Sequence, residues 1–166
     1  MKKLCFNQGF IPRTWSNDDV GGDGCPIDLV DVSRRREPKP ILTVSDFLVL
    51  GVLGLIRKGR FDYKIIALDV DEARERKIST LDHMFRQDQQ KLNDVSKWFA
   101  SHSQLGIDKG SKLLWSGEIK GQQYAMDIIN EHRNFYSVLT DLPTLQIKKE
   151  YWSSDATVTE SEEHYD

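Results

Sequence analysis

The chain is short of cysteine, of long apolar runs and of surplus positive charge, and each shortage removes a class of function. Only Cys5 and Cys25 occur, with neither metal-ligand spacing nor enough sulfur for a disulfide framework, which fits a reducing compartment. The best apolar run, Phe47 to Ile56, is about half the length that a membrane-spanning helix needs. The start, Met1-Lys2-Lys3-Leu4-Cys5-Phe6-Asn7-Gln8, turns polar too soon for a secretory leader. A formal net charge of -3 does not suit a globally basic nucleic-acid binder. The expectation is a cytoplasmic protein with no membrane and no nucleic-acid partner; the mitochondrial matrix is the alternative compartment, reached through a presequence upstream of these residues.

What is present suits one ordinary domain. A chain of 166 residues, 30% of them charged, can bury a real core but not two comfortable ones. Residues 1–22, rich in Gly, Asn and Asp, read as irregular around Phe10-Ile11. Ile27 to Val32 has the mixture of a short strand. The run Arg34-Arg35-Arg36-Glu37-Pro38-Lys39-Pro40 reads as a solvated loop, because two prolines oppose a helix. Phe47 to Ile56 and Tyr63 to Val70 read as strands, joined by a hairpin connection over 57–62 that contains Gly59.

The second half changes period. Leu81, Phe85, Leu92, Val95 and Phe99 share one helical face, and Ala125, Ile128, Ile129, His132, Phe135, Tyr136 and Leu139 share another. His132 on that apolar side reads as a packed core residue. A short strand is expected around Leu113-Leu114-Trp115. From Tyr151 to Asp166 there are five acids and no Lys or Arg, the composition of a disordered tail. The class is α+β, a small barrel or sheet with two helices outside it. Residues 1–145 form the domain and 146–166 the acidic tail.

The segment with chemistry in it is Gly22-Asp23-Gly24-Cys25-Pro26-Ile27-Asp28-Leu29. A tight Gly/Pro turn brings Asp23 and Asp28 together at the entrance to a strand. Two carboxylates held by a rigid loop repel, and a hard divalent cation relieves that repulsion. The same residues also suit an Asx-type turn, in which the acids merely cap backbone N–H groups.

This segment resembles the Asp-x-Asp-Pro-x-Asp signature of family I soluble inorganic pyrophosphatases of the eukaryotic type, with Cys25 where the middle Asp belongs. Four further stretches resemble the family in the same order: Gly9-Phe10-Ile11-Pro12-Arg13-Thr14-Trp15; Val52 to Ile56 running on through Asp62-Tyr63-Lys64-Ile65-Ile66-Ala67; Trp98-Phe99; and Tyr124-Ala125-Met126-Asp127-Ile128-Ile129. The resemblance implies an oligonucleotide-binding-like, antiparallel five-stranded β-barrel with two flanking helices, and Mg²⁺-dependent hydrolysis of diphosphate. The family's N-terminal third has no counterpart here, so the barrel is expected to be incomplete on that side. A homodimer or a protein partner would then cover the open edge.

Roles carry over residue by residue. Asp23, Asp28 and Asp62 match three acids that hold the family's tightest metal, so one Mg²⁺ site is compositionally complete. Lys64 matches a lysine that contacts substrate phosphate. Elsewhere the resemblance breaks. Cys25 replaces the acid assigned as general base, and a thiol is a poor oxygen-type ligand and, with a reference pKa of about 8.5, a poor base. Arg57 stands where another metal-binding Asp is expected, with Lys58 and Arg60 nearby in place of acids. His102 and Ser103 occupy the positions of a substrate-binding Tyr-Lys pair, and Gln8 that of a Tyr. Two functions follow as alternatives: a pyrophosphatase of weak or lost activity, or an inactive pyrophosphatase-like subunit or module that binds phosphate or a metal. Arg57 could also supply, as an ion pair with Asp23 and Asp28, the charge of a second metal.

Overall fold

The computed structural model describes residues 6–34, 39–104 and 112–141, apart from the side chains of 102–104 and 141. The proposed tail at 146–166 lies outside the described residues. Among the described residues six strands form one mixed sheet, in the order β1 (Asn7–Phe10), β2 (Asp28–Asp31), β4 (Arg60–Asp69), β3 (Phe47–Arg57), β5 (Lys112–Leu113), with β6 (Lys120–Gly121) also on β3. Helix α1 (Val70–Glu75) follows β4, α2 (Leu81–Gln104) follows α1, and α3 (Gln122–Asp141) ends the described chain. The sheet is an open, oligonucleotide-binding-like one with flanking helices. In detail it has six strands rather than five, and β2 runs parallel to β4 where an all-antiparallel barrel was expected.

The long β3–β4 hairpin is the frame. Its apolar, β-branched strands meet at a two-residue turn, Lys58-Gly59, tighter than the six-residue connection expected. Both turn residues have positive φ, 53° and 81°, the geometry whose twist matches that of paired strands. Arg57 therefore faces Arg60 as the last pair, and Leu55 faces Asp62. Residues 7–10, expected to be irregular, form β1 because β2 offers it an antiparallel ladder. Local sequence did not call for that strand.

Alternation along the hairpin divides the core in two. Leu50, Leu53, Leu55, Ile66 and Leu68 pack with Met84, Leu92, Val95 and Phe99 of α2. Val52 and Ile65 turn the other way, onto Ala125, Ile128 and Ile129 of α3. Gly51 sits where β6 pairs with β3, opposite Gly121, and a Cβ there would run into the Lys120 carbonyl. Thr80 starts α2, its hydroxyl accepting from the His83 N–H at 3.2 Å. The helix is not straight: Asp88 leaves helical geometry (φ -156°, ψ 56°). Its carboxylate accepts from the Lys91 N–H at 3.3 Å and from Arg34 Nε at 3.0 Å, a side chain competing with the backbone ladder.

His132 is buried, as expected of a core residue. Its Nδ1–H donates to the Ile128 carbonyl at 2.8 Å, and its ring lies between Tyr63 and Phe135. Burial lowers its pKa below the ordinary value of 6.5. The unfolded chain then takes up the proton first as pH falls, so this contribution to stability is present above about pH 6.5 and is lost below it. In urea melts at about pH 7.5 and 5.5, the wild type should lose more stability on acidification than His132→Phe does.

Candidate functional site

The loop over 16–28 is built to hold its acids still. The N–H of Gly24 donates to the Ser16 carbonyl at 2.8 Å, and the N–H of Ser16 donates to the Cys25 carbonyl at 2.8 Å. Buried Thr14 ties the loop's base down: its hydroxyl donates to the Ile11 carbonyl at 2.6 Å and accepts from the Ile27 N–H at 3.0 Å. The hairpin tip is fastened to the same loop through the Phe61 N–H on the Gly21 carbonyl, 2.8 Å, and Arg60 on the Gly22 carbonyl, 3.4 Å. Gly24, at φ 71°, lets the chain reverse between Asp23 and Cys25.

Register then gathers the charged residues on one face of the sheet. Asp62 and Lys64 are two apart on β4, Asp28 lies beside Lys64 in the parallel pair, and Arg57 is two residues beyond Leu55, the partner of Asp62. Side chains two apart on a strand share a face. The Lys64 ammonium donates to Asp62 at 2.6 Å and also to Asp28. The Arg57 guanidinium lies 3.3 Å from Asp62 and 3.9 Å from Asp23. Asp62 and Lys64 are almost fully buried, whereas the Arg57 side chain is 42% exposed.

Asp23 faces two ways. One carboxylate oxygen accepts from the Cys25 N–H at 3.2 Å, an Asx turn, while the other faces Arg57. Burial, and then the charge of Asp62, raise its pKa. The Cys25 side chain is exposed, yet the surrounding protein takes water from the thiol, and with Asp23 and Asp28 nearby its pKa rises. At neutral pH it is a thiol between carboxylates and not a base.

Asp23, Cys25, Asp28, Arg57, Asp62 and Lys64 thus meet in one place. Arg57 reaches Asp23 and Asp62, where the residue pattern had suggested Asp23 and Asp28. Lys64, the residue expected to contact substrate phosphate, lies against two acids, Asp62 and Asp28. Gln8 belongs here too, its amide donating to Asp28 at 3.1 Å. His102 and Ser103 lie in the last turn of α2, and their side chains fall outside the described residues. Among the described residues, no three His, Cys, Asp or Glu side chains converge as a metal-holding group. Each of the three acids expected to share one Mg²⁺ faces a cation of the chain: Arg57 for Asp23, Lys64 for Asp28, and both for Asp62. A separate hollow of about 510 Å³, between α2 and residues 115–119, contains none of these groups.

Comparison with known proteins agrees with this architecture. The inorganic pyrophosphatase family profile matches residues 1–137. Inorganic pyrophosphatase 1 of Caenorhabditis elegans is 28% identical over 145 residues, covering 83% of this chain and 34% of that protein. Mitochondrial inorganic pyrophosphatase 2 of Mus musculus is 27% identical over 139 residues, covering 78% and 41%. Among solved structures, the recombinant inorganic pyrophosphatase of T brucei brucei superposes with a TM-score of 0.75 at 26% identity, covering 82% of this chain and 41% of that one. A truncated vacuolar soluble pyrophosphatase of Trypanosoma cruzi, solved in complex with PPi, gives 0.74 at 26% identity, covering 82% and 54%. The chain spans roughly a third to a half of the length of these relatives.

Proposed function

The chain belongs to the family I soluble inorganic pyrophosphatases, and on that premise we propose that it is a member whose hydrolysis of diphosphate is weak or lost. The observation that carries this reading is the thiol of Cys25 between Asp23 and Asp28, where the family signature has a carboxylate. Diphosphate hydrolysis needs an acceptor for the proton of the attacking water and positive charge on the departing phosphate. Cys25 supplies no acceptor while its pKa is raised. Arg57 is permanently charged and lies against Asp62 and Asp23, so it competes for the oxygens that a divalent ion would need.

A second reading, a module that holds phosphate without cleaving it, is favoured by the half-exposed Arg57 guanidinium beside the Lys58 turn. Guanidinium groups pair well with phosphate oxygens. In either reading the ligand is phosphate or diphosphate. Phosphate release from diphosphate with Mg²⁺ is the test. The wild type should stay close to the uncatalysed blank, and Cys25→Asp combined with Arg57→Asp should be at least about tenfold faster. Wild-type turnover at ordinary enzyme rates, about 1 s⁻¹ or more, would contradict the proposal.

A further inference from the structure

We infer that Arg57 and Lys64 are the resident counter-ions of the acid cluster, so that every acid of this centre has a cation beside it and the centre folds without a divalent metal. The inference concerns the same site as the proposal above and rests on its family assignment, but not on the turnover rate.

The geometry is specific. Asp62 is the hub: one oxygen accepts from the Lys64 ammonium at 2.6 Å, and the other lies 3.3 Å from the Arg57 guanidinium. Lys64 continues to Asp28, and Arg57 continues to Asp23 at 3.9 Å. Three carboxylates are thereby threaded on two cations. A hard divalent ion such as Mg²⁺ needs several oxygens at about 2.1 Å in a near-octahedral shell. Here an ammonium fills the space between Asp28 and Asp62, and a guanidinium reaches from Asp62 to Asp23. A metal entering either position would stand close to a fixed positive charge and would have to expel it. Arg57 cannot yield by losing its proton.

The sequence origin of the exchange is one position. Arg57 is the last paired residue before the Lys58-Gly59 turn, so its side chain is delivered to the cluster by strand register rather than by a mobile loop. Hydrogen bonds from the hairpin to the Gly21 and Gly22 carbonyls hold the two sides of the cluster together. An acid at position 57 would turn the same register into a fourth carboxylate around a single lysine, an arrangement that calls for a metal.

Magnesium titration by calorimetry, with thermal melting in EDTA and in millimolar Mg²⁺, tests this on the full chain. The wild type should give no binding heat, and its Tm should be the same in both media. Arg57→Asp should melt several degrees lower in EDTA and recover with Mg²⁺, because ligand binding stabilises only the folded state. Should that variant fail to fold, Arg57→Met, which keeps the bulk and removes the charge, should melt lower than the wild type and gain a rise with Mg²⁺. Magnesium binding by the wild type, a rise in its Tm with Mg²⁺, or an Arg57→Met protein that melts as the wild type does would overturn the inference. Phosphate release by a magnesium-silent wild type would sink only the reading of weak turnover. A magnesium-responsive wild type that releases no phosphate would sink only this one.

Discussion

Replacing Lys64 with methionine is expected to cost the fold about 3 kcal/mol, the scale for removing one partner of a buried ion pair. The Lys64 side chain is 4% exposed and lies on Asp62, which is 5% exposed. Methionine fills the same space but leaves Asp62 with Arg57 alone, at 3.3 Å and near solvent. The uncompensated carboxylate is the source of the cost. Lys64→Met combined with Asp62→Leu should therefore recover most of the loss, since replacing a whole buried pair by apolar residues of similar volume is often neutral. Urea denaturation of the two single variants and the double variant measures the coupling. Additive losses would show that Lys64 acts through packing, for instance on the Phe99 ring 5.8 Å from its ammonium, and not through charge.

Gly22→Ala is expected to cost about 2–3 kcal/mol, the range for forcing extra atoms into a packed site. A Cβ at this buried position would sit 2.5 Å from the Ser16 carbonyl carbon and 2.6 Å from the Asn17 carbonyl oxygen. Both are backbone atoms, so no side-chain rotation relieves the clash. The loop would have to open, carrying Asp23 away from Arg57. Gly9→Ala is the control, because a Cβ there meets nothing within 4 Å. The comparison is made by thermal melting of both variants. Equal Tm values would show that the 16–28 loop is not rigid enough to fix the site.

Much of the frame was legible because its signals are local. The β-branched runs around Gly59 specify the hairpin, and the three- and four-residue spacings specify the faces of α2 and α3. Strand β1 escaped notice because Asn7-Gln8-Gly9-Phe10 has no alternation of its own and becomes a strand only by pairing with β2. The kink in α2 was hidden because Asp88 breaks the helix through a partner, Arg34, that is distant in sequence.

The site divides in the same way. The Asp23-to-Asp28 turn could be read from its Gly and Pro residues, down to the Asx bond from Cys25 to Asp23. Which cation meets which acid could not, because that follows from register between strands. Asp28 lies beside Lys64 across the parallel β2–β4 pair, and Arg57 lies diagonal to Asp62 across the hairpin. The spacing of Asp62 and Lys64, two residues apart on one strand, was the available clue that the lysine would lie against an acid. Gln8 joined the site through β1, an element the sequence did not announce.

The central claim, that the chain's own cations occupy the acid cluster, is tested most directly by crystals grown with Mn²⁺, which shares the preference of Mg²⁺ for oxygen ligands and scatters anomalously. The account predicts no anomalous peak among Asp23, Asp28 and Asp62, with Lys64 and Arg57 in the ion pairs described. A manganese peak ligated by these carboxylates, with the Arg57 guanidinium swung out to solvent, would contradict it.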